Sequence, residues 1–455
     1  MTELFDVEGS DDLGAQKVRL YPVTRIQGRA DIEVHFTADQ AVVEARFRGL
    51  ESRGIESLVE GMPALRAPQV LARTCGTCGG FHQLAACMSI EAACGAEVAP
   101  EAQALRELVC WLLLAASHVR TMTYFALPDF ALPMSDAAVK NVSGIYMIDQ
   151  ESVTRLTRAL ASINEALQCL AGNQFLPAVI VPGGVSKLPD ETAISKASEL
   201  LEGCEDDLRE TMRLAEMLTR RESRMIETGT PLPGYYMAST SDGRPAIIGD
   251  EISAASFNGG EPVALDAQGF IAAVEERPVT WSYIVPLAVR GLEPAMVGPL
   301  ARLNLGFGED TPIAALEGGR VSEQWQHPLN NEFFFLIALA CEAIWSWEKA
   351  RNLLERGWDD TSSPCAPFEV VSGEGSAVVD SPRGTLAHVA QIDESGKISA
   401  YRIMSPLQFN YLTVNEYLTS VASETVRGIE ISDAVAARLQ LAVRSFNPCV
   451  SCGTH

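Results

Sequence analysis

The chain ends in Phe446-Asn447-Pro448-Cys449-Val450-Ser451-Cys452-Gly453-Thr454-His455. A Cys-x-x-Cys pair followed by a histidine places thiolate and imidazole donors close to one another. A second pair, Cys75 and Cys78, lies far upstream, and His82 follows it by four residues. Two such pairs can converge on one metal centre, and their softness selects zinc, nickel, copper(I) or iron over magnesium or calcium. Because the pairs of a zinc ribbon lie only about 15–20 residues apart, we expect this site to join the two ends of the fold.

The composition is that of a globular chain with a large core. Of the 455 residues, 47% are apolar, and the net charge of −24 argues against non-specific binding to nucleic acid or anionic membranes. No apolar run reaches the roughly 18–20 residues of a membrane span, and residues 1–8 lack the basic region of a signal peptide. Eleven cysteines without a dense framework favour reduced thiols. We therefore expect a cytoplasmic location, which a partner subunit carrying an export signal would change.

Hydrophobic periodicity predicts an α+β fold that is mainly helical. Ile32, Val34 and Phe36 alternate with polar residues and predict a small antiparallel sheet over residues 17–47. Helices are predicted for residues 52–72, 105–116, 194–212 and 331–356. The glycine- and proline-rich residues 230–320 predict an irregular, strand-bearing insertion. The resulting prediction is a large helical-bundle core with small peripheral antiparallel sheets, in which both Cys-x-x-Cys motifs meet at a buried metal site.

No repeat or change of composition divides the chain. Residues 1–16 are acidic and are predicted to form a loose N-terminal arm, and residues 17–455 a single domain. Asp190 is the predicted cap of the helix that contains residues 194–212.

Taken together, the two cysteine motifs carry a family resemblance. Arg-x-Cys-Gly-x-Cys-x-x-x-His near one end and Pro-Cys-x-x-Cys-x-x-His at the other resemble the large, catalytic subunit of nickel–iron hydrogenases, nearly end to end. The resemblance implies that Cys75 and Cys449 bind nickel terminally, while Cys78 and Cys452 bridge nickel and iron. It also implies cyanide and carbon monoxide ligands on the iron, and heterolytic oxidation or production of H2 in which a thiolate such as Cys449 takes the proton.

Electrons must leave such a site through a partner. The sequence has no spare cysteine set at cluster spacing such as Cys-x-x-Cys-x-x-Cys. This observation and the resemblance both imply a separate iron–sulfur small subunit, which further electron-transfer subunits can join. The short C-terminal ending favours the cytoplasmic bidirectional or cofactor-coupled groups of the family.

The resemblance assigns roles to further polar residues. Arg383, after Pro382, is expected over the metals, where its guanidinium can donate to a cyanide nitrogen. Asp129 is expected to form a buried ion pair with Arg383. Glu56 and His455 are expected to bind a magnesium-type ion; the histidine rests on resemblance alone, because hard cations prefer oxygen.

Three residues depart from the family pattern. Gln27 stands where the family has a glutamate that relays protons from a nickel-bound cysteine, here Cys449, and an amide has no usable acid–base equilibrium. Asn447 replaces an aspartate, and Leu407 replaces a serine or threonine that donates to a cyanide. These changes predict a neutral pocket with fewer hydrogen bonds, in which water or another acid moves the proton. His82, in the first motif, is expected to hydrogen-bond a cysteine sulfur.

Other interpretations stay open at this point. The four cysteines could hold a structural zinc ion. The chain could be a slow-turnover, H2-sensing regulatory hydrogenase, which the loss of the carboxylate at position 27 favours. It could also be a quinone-pocket subunit like that of respiratory complex I, although that relative lacks the four cysteines. The remaining cysteines are expected to be core thiols, and the remaining histidines to be packed or surface residues: His35, His118, His327 and His388.

Overall fold

The computed structural model describes residues 3–8, 16–133, 138–307, 310–359 and 362–455. The strands are β1 (Glu3–Glu8), β2 (Gln16–Tyr21), β3 (Ala30–Phe36), β4 (Val42–Gly49), β5 (Ile180–Val181), β6 (Gly184–Val185), β7 (Tyr235–Ser241), β8 (Arg244–Pro245), β9 (Glu251–Ser256), β10 (Val263–Asp266), β11 (Val274–Glu276), β12 (Leu287–Val289), β13 (Ala295–Met296), β14 (Gly373–Ser381), β15 (Gly384–Ile392) and β16 (Ile398–Met404). The α-helices are α1 (Ile55–Val59), α2 (Ala67–Leu71), α3 (Gly79–Cys94), α4 (Pro100–Thr121), α5 (Leu127–Ala131), α6 (Val142–Ile148), α7 (Gln150–Ala171), α8 (Glu191–Glu202), α9 (Glu205–Arg221), α10 (Ser223–Thr228), α11 (Ala267–Ala273), α12 (Pro299–Leu305), α13 (Pro312–Gln324), α14 (Phe335–Glu355), α15 (Pro406–Thr425), α16 (Asp433–Arg444) and α17 (Val450–Gly453).

The helical core is built around α4 and α14, which pack against each other and against α7, α9 and α12. These two helices confirm the predictions for residues 105–116 and 331–356. Both are buried along most of their length, which explains why they are apolar on more than one face. Trp111 and Trp345 meet edge to face between them, with ring centroids 4.6 Å apart.

One continuous helical segment, Pro100–Ala131, is long and apolar enough to cross a membrane by length and composition, although no such run was expected from the sequence. It consists of α4, a single π turn at Met122–Ala126, and α5. Of its most apolar window, 83% is buried inside the protein. The central helix of a large core has this composition, because it has no solvent-facing side.

The N-terminal sheet is an antiparallel meander in the order β1-β2-β3-β4. It confirms the sheet predicted for residues 17–47, but β3 is buried on both faces. Arg48 neutralises the polar face by donating to Asp31 at 2.7 Å and by pairing with Glu33 at 2.8 Å. Paired carboxylates avoid the cost of an uncompensated buried charge, so alternation of polar residues did not indicate a solvent-exposed face here.

The predicted loose arm is partly a strand. Residues Glu3–Glu8 pair antiparallel with β2 and extend the sheet by one edge strand. The rest of the arm, residues 1–2 and 9–15, lies outside the described residues.

Two predicted helices are interrupted. Residues 52–72 form α1 and α2 with a turn between them at Gly61, whose φ is +76°. Residues 194–212 are divided between α8 and α9. Asp190 caps α8 as predicted, because its side chain accepts the Ala193 N–H at 2.8 Å.

The remaining sheets surround the place where the two ends of the chain meet. The sheet β14-β15-β16 packs on α3, which carries the first cysteine motif at its start. Residues 230–320 form the sheet β10-β9-β7-β13 and the pair β11-β12, as predicted, and also contain α11 and α12. The start of α3, the β14–β15 turn and the C-terminal α17 therefore lie together in the interior.

Candidate metal centre

The four thiols of the two cysteine motifs meet in the interior. Their sulfur atoms all lie within 4.8 Å of one another, and each residue is at most 2% exposed. The Sγ atoms of Cys75 and Cys449 are 3.2 Å apart, and those of Cys449 and Cys452 are 2.8 Å apart. Cys78 completes the group. The two ends of the chain are thus joined at one buried sulfur site, as predicted, and its donors suit a soft metal.

The start of α3 positions the first pair. The Cys78 carbonyl accepts the His82 N–H at 3.1 Å, so Cys78 opens the helix directly after Cys75 and its turn. Gly79 follows because a Cβ at this position would lie 2.4 Å from the Ala72 carbonyl oxygen. The turn can fold back over the helix start only with glycine here.

The second pair is held by the loop before β3. Gln27 forms a parallel bridge with Cys449, and its carbonyl accepts the Val450 N–H at 2.7 Å. Gly28 has φ of +93°, and a Cβ there would lie 2.9 Å from Val450 Cβ and 3.0 Å from Ser451 N. Close backbone approach at Gly28 therefore fixes the C-terminal cysteines.

Burial limits the charge that this sulfur group can carry alone. Hydrogen bonding with the thiols of Cys449, Cys452 and Cys78 holds the pKa of Cys75 well below its usual range. Burial raises the pKa of Cys449 and Cys452 well above the usual range. Burial therefore opposes full ionisation of the group, and a bound metal cation would stabilise its thiolates. The donor set fits a cationic metal centre.

Arg383 is the cation beside the sulfur group. It follows Pro382 in the two-residue turn between β14 and β15. Its Nη1 donates to Cys78 Sγ at 3.4 Å and to Ser117 Oγ at 3.0 Å. Burial opposes its charge, but the neighbouring thiolates, Cys78 first, raise the pKa of Arg383 above its ordinary value. Its Nε is buried and has no acceptor among the described residues, which leaves one donor for a metal-bound ligand.

A chain of buried hydrogen bonds leads away from Cys452. His82 Nε2 lies 3.4 Å from the Cys452 sulfur, which is the kind of contact expected of this histidine, and its Nδ1 lies 3.0 Å from His388 Nε2. His388 Nδ1 lies 2.8 Å from the Tyr401 hydroxyl. Burial lowers the pKa of His82 to about 4 and that of His388 well below the usual value, so both rings are neutral at pH 7. One tautomer set satisfies the chain: Tyr401 donates to His388, His388 to His82, and His82 to the sulfur.

Comparison with known proteins agrees with this geometry. A family model described as nickel-dependent hydrogenase matches residues 53–135 and 343–455, the segments that carry all four cysteines and Arg383. These two segments are therefore similar to nickel-dependent hydrogenases.

Individual relatives span nearly the whole chain. The NAD-reducing hydrogenase HoxS subunit beta of Cupriavidus necator is 27% identical over 473 residues, covering 97% of this chain and 95% of that protein. The sulfhydrogenase 2 subunit alpha of Pyrococcus furiosus is 28% identical over 453 residues, covering 96% and 98%. A crystal structure of an NAD+-reducing NiFe hydrogenase in the H2-reduced state superimposes with a TM-score of 0.90 at 24% identity, covering 98% of this chain and 100% of that one. The chain therefore has the fold of a nickel–iron hydrogenase large subunit.

Glu56 and His455 meet beside the cysteines. Glu56 Oε1 accepts the Ile403 N–H at 2.6 Å and lies 3.4 Å from His455 Nε2. His455 Nδ1 lies 2.6 Å from the Cys452 carbonyl oxygen and donates to it. In the tautomer with its proton on Nδ1, Nε2 carries a lone pair towards the carboxylate. Two acceptors in this position fit a shared cation, because cis ligands about 2.1 Å from an octahedral Mg²⁺ lie about 3.0 Å apart.

Asp129 pairs with other arginines than the one expected. Its carboxylate accepts two bonds from Arg444 Nη1, at 3.0 and 3.1 Å, and one from Arg25. Among the described residues no bond joins it to Arg383, so the predicted pair between them is wrong. Asp129 lies in the first turn of α5, after the π turn, where the end of α16 and the loop before β3 both reach it. Burial lowers the pKa of Arg444 to about 10 against the opposing charge of Asp129. Asp129 therefore stabilises the loop that carries Gln27.

The residues that depart from the family pattern lie close to the C-terminal cysteines. Gln27 and Asn447 line a small cavity together with Thr121. Asn447 has φ of +48°, a left-handed conformation that asparagine tolerates, and its buried Nδ2 has no acceptor among the described residues. Leu407 is buried, and a Cβ built on Gly453 would lie 3.1 Å from its side chain. The wall of the candidate site is therefore apolar at Leu407.

Sequence reasoning missed three polar members of the site, Ser117, His388 and Tyr401. His388 is packed, as expected for the remaining histidines, but it also bonds His82. Strand alternation could have placed His388 on the face of β15 that contains the buried Leu386. No local pattern indicates that Ser117 or Tyr401 reaches the site, because each does so across more than 10 residues of intervening chain.

Proposed function

We propose that this chain is the catalytic large subunit of a nickel–iron hydrogenase that oxidises or produces H2. The observation that carries the proposal is the convergence of four buried thiols from opposite ends of the chain. Cys75 and Cys449 would bind nickel terminally, and Cys78 and Cys452 would bridge nickel and iron. When bound, the two metals supply the Lewis acidity that polarises H2 for heterolytic cleavage.

The protein's own groups then handle charge and protons. Arg383 keeps a positive charge at the sulfur group, and its free Nε is suited to donate to a cyanide nitrogen on the iron. Cys449 Sγ would accept the proton. Gln27 cannot pass that proton on, so we assign the next step to water in the cavity that Gln27, Thr121 and Asn447 line.

Two further components complete the proposal. The facing lone pairs of Glu56 and His455 support a magnesium-type ion at that position. An iron–sulfur small subunit would receive the electrons, because the cysteines outside the four-thiol group lie singly in the sequence. The curated relatives bear the names of hydrogenase subunits, which supports a heteromeric complex. We place the complex in the cytoplasm, as the cysteine usage predicts.

The first experiment measures nickel and iron in the purified complex together with infrared absorption in the cyanide and carbonyl stretching region. We expect near-stoichiometric nickel and the corresponding bands. Cys78→Ser should abolish both, whereas Cys87→Ser should retain them, because Cys87 is a buried thiol of the same helix with no place in the sulfur group. Zinc in place of nickel, without those bands, would refute the proposal. The four cysteines would then hold a structural zinc ion that joins the two ends of the chain.

A slow-turnover H2 sensor is the second candidate, and Gln27 is the observation that favours it. Both candidates require nickel, which a quinone-pocket subunit would lack. H2-dependent dye reduction at full nickel loading separates them. Sustained turnover supports the catalytic enzyme, and H2-induced changes in the infrared bands with negligible dye reduction support the sensor.

A further inference from the structure

The turn that presents Arg383 is unusually constrained. Ser381 Oγ accepts the Arg383 N–H at 3.3 Å and donates to the Gly384 carbonyl at 2.9 Å, which closes the turn on itself. The segment before α12 presses on it from outside. A Cβ on Gly298 would lie 2.8 Å from the Arg383 carbonyl oxygen, and one on Gly384 would lie 2.5 Å from Val297. The turn cannot shift towards α12 without a clash.

Arg302 of α12 fixes the other side of this turn. Its Nη1 donates to Asp380 Oδ2 at 3.0 Å and to the Ser381 carbonyl at 3.1 Å. Arg302 is 1% exposed, and a buried guanidinium that bonds both a side chain and a backbone carbonyl holds them in one geometry. The end of β14 is thereby tied to α12.

Glu342 of α14 holds Arg302 in turn. The two side chains form a double hydrogen bond, with Nη2 to Oε2 at 2.8 Å. Glu342 Oε2 also lies 2.7 Å from His118 Nε2. His118 neighbours Ser117 on α4, and Ser117 is the residue that bonds the head of Arg383. Both attachments of Arg383, its turn and its guanidinium, therefore lead back to the same carboxylate.

We propose that Arg302, held by Glu342, is a positioning residue that sets the place of Arg383 over the four cysteines. The inference rests on the proposed function, because it assigns the pair a role in that centre. Arg302 touches none of the four thiols itself and acts through the turn and through α4. An arginine placed within a few tenths of an ångström can direct its donors at a metal-bound ligand, whereas a displacement of about 1 Å costs up to about 100-fold in rate.

A second buried arginine–glutamate pair provides a control. It separates a positioning role of Arg302 from the general effect of losing a buried ion pair. Arg106 and Glu91 are also buried and doubly hydrogen-bonded, with Nη1 to Oε2 at 3.0 Å. Arg106 further donates to the Gly184 carbonyl. None of its described partners belongs to the Arg383 turn or to the sulfur group. Arg106→Lys therefore reports the cost of disturbing such a pair elsewhere.

The test compares Arg302→Lys, Glu342→Gln, Arg383→Lys and Arg106→Lys in the purified complex at equal nickel content. We expect the first two to shift the cyanide bands in the same direction as Arg383→Lys does. We also expect them to lower kcat about 10- to 100-fold with a smaller change in KM for H2. Arg106→Lys should keep the wild-type bands and kcat.

Several results would overturn the inference. Wild-type bands and kcat in Arg302→Lys and Glu342→Gln, while Arg383→Lys shifts both, would show that Arg383 needs no such support. Equal effects in Arg106→Lys would indicate general destabilisation. If Arg302→Lys fails to load nickel, the cyanide bands and kcat of Glu342→Gln test the inference instead. Failure of both to load, with Arg106→Lys loaded, assigns the pair to assembly and refutes positioning. Absence of the bands from the wild-type complex refutes the proposed function itself, and this inference with it.

Discussion

Replacement of Gly28 by alanine should loosen the C-terminal cysteines from the rest of the centre. A Cβ at Gly28 would lie 2.9 Å from Val450 Cβ and 3.0 Å from Ser451 N. Carbon atoms normally approach to about 3.5–4.0 Å, so the segment after Cys449 must move by roughly 0.6–1 Å. The backbone also has φ of +93°, which costs an alanine about 1–2 kcal/mol.

Overpacking adds about 1–3 kcal/mol to that conformational cost. The free energy of unfolding of Gly28→Ala should therefore fall by roughly 2–5 kcal/mol. Gly172→Ala is the matched control, because Gly172 has φ of +71° with nothing within 4 Å of an added Cβ. It should lose only about 1–2 kcal/mol.

The assay combines denaturant unfolding of the metal-free protein with nickel content of the complex and hydrogen exchange at the Val450 amide. That amide donates to the Gln27 carbonyl at 2.7 Å, so its protection reports the bridge directly. We expect Gly28→Ala to exchange faster there and to retain less nickel than Gly172→Ala. Equal stability, exchange and nickel content in the two variants would refute the argument that close approach at Gly28 holds the centre together.

Three further predictions concern protons and charge. Gln27→Glu should place a titratable group beside the C-terminal cysteines and accelerate H2/D2O exchange by up to about 100-fold. The control Gln27→Asn should leave the exchange rate unchanged. No acceleration in Gln27→Glu would mean that the existing water route already suffices. Glu56→Gln should remove the divalent ion from its place between the carboxylate and His455, so the magnesium content of the purified complex should fall while nickel persists, and unchanged magnesium would exclude this position as the binding site. The third prediction concerns pH. Burial opposes the charge of Glu342, but Arg302 and other partners lower the pKa of Glu342 to about 2, below its ordinary 4.5. This pair therefore stabilises the folded state above pH 4.5, and about 3 kcal/mol is lost as pH falls from 4.5 towards 2. In denaturant unfolding of the metal-free protein, the stability gap between wild type and Glu342→Gln should narrow over that window, and a constant gap would contradict the assignment.

Much of the site could be predicted because its chemistry depends on residue types within short sequence motifs. Cys75, Cys78, Cys449 and Cys452 are soft donors in pairs, and no tertiary information is needed to know which metals such donors prefer. The helices α4 and α14 were predictable for a similar reason, since apolar residues recur at helical spacing along them. Gln27 was informative from the sequence alone, because an amide cannot relay a proton in any fold.

The tertiary structure decided which charges meet. Asp129 bonds Arg444 and Arg25 rather than Arg383, and these partners lie 315 and 104 residues away along the chain. Arg302 reaches the Arg383 turn in the same long-range way. A carboxylate attracts any guanidinium that comes near, so the sequence supplied the charges but not the pairs. Only the packing of α5, α12 and α16 determines which partner is close enough to bind.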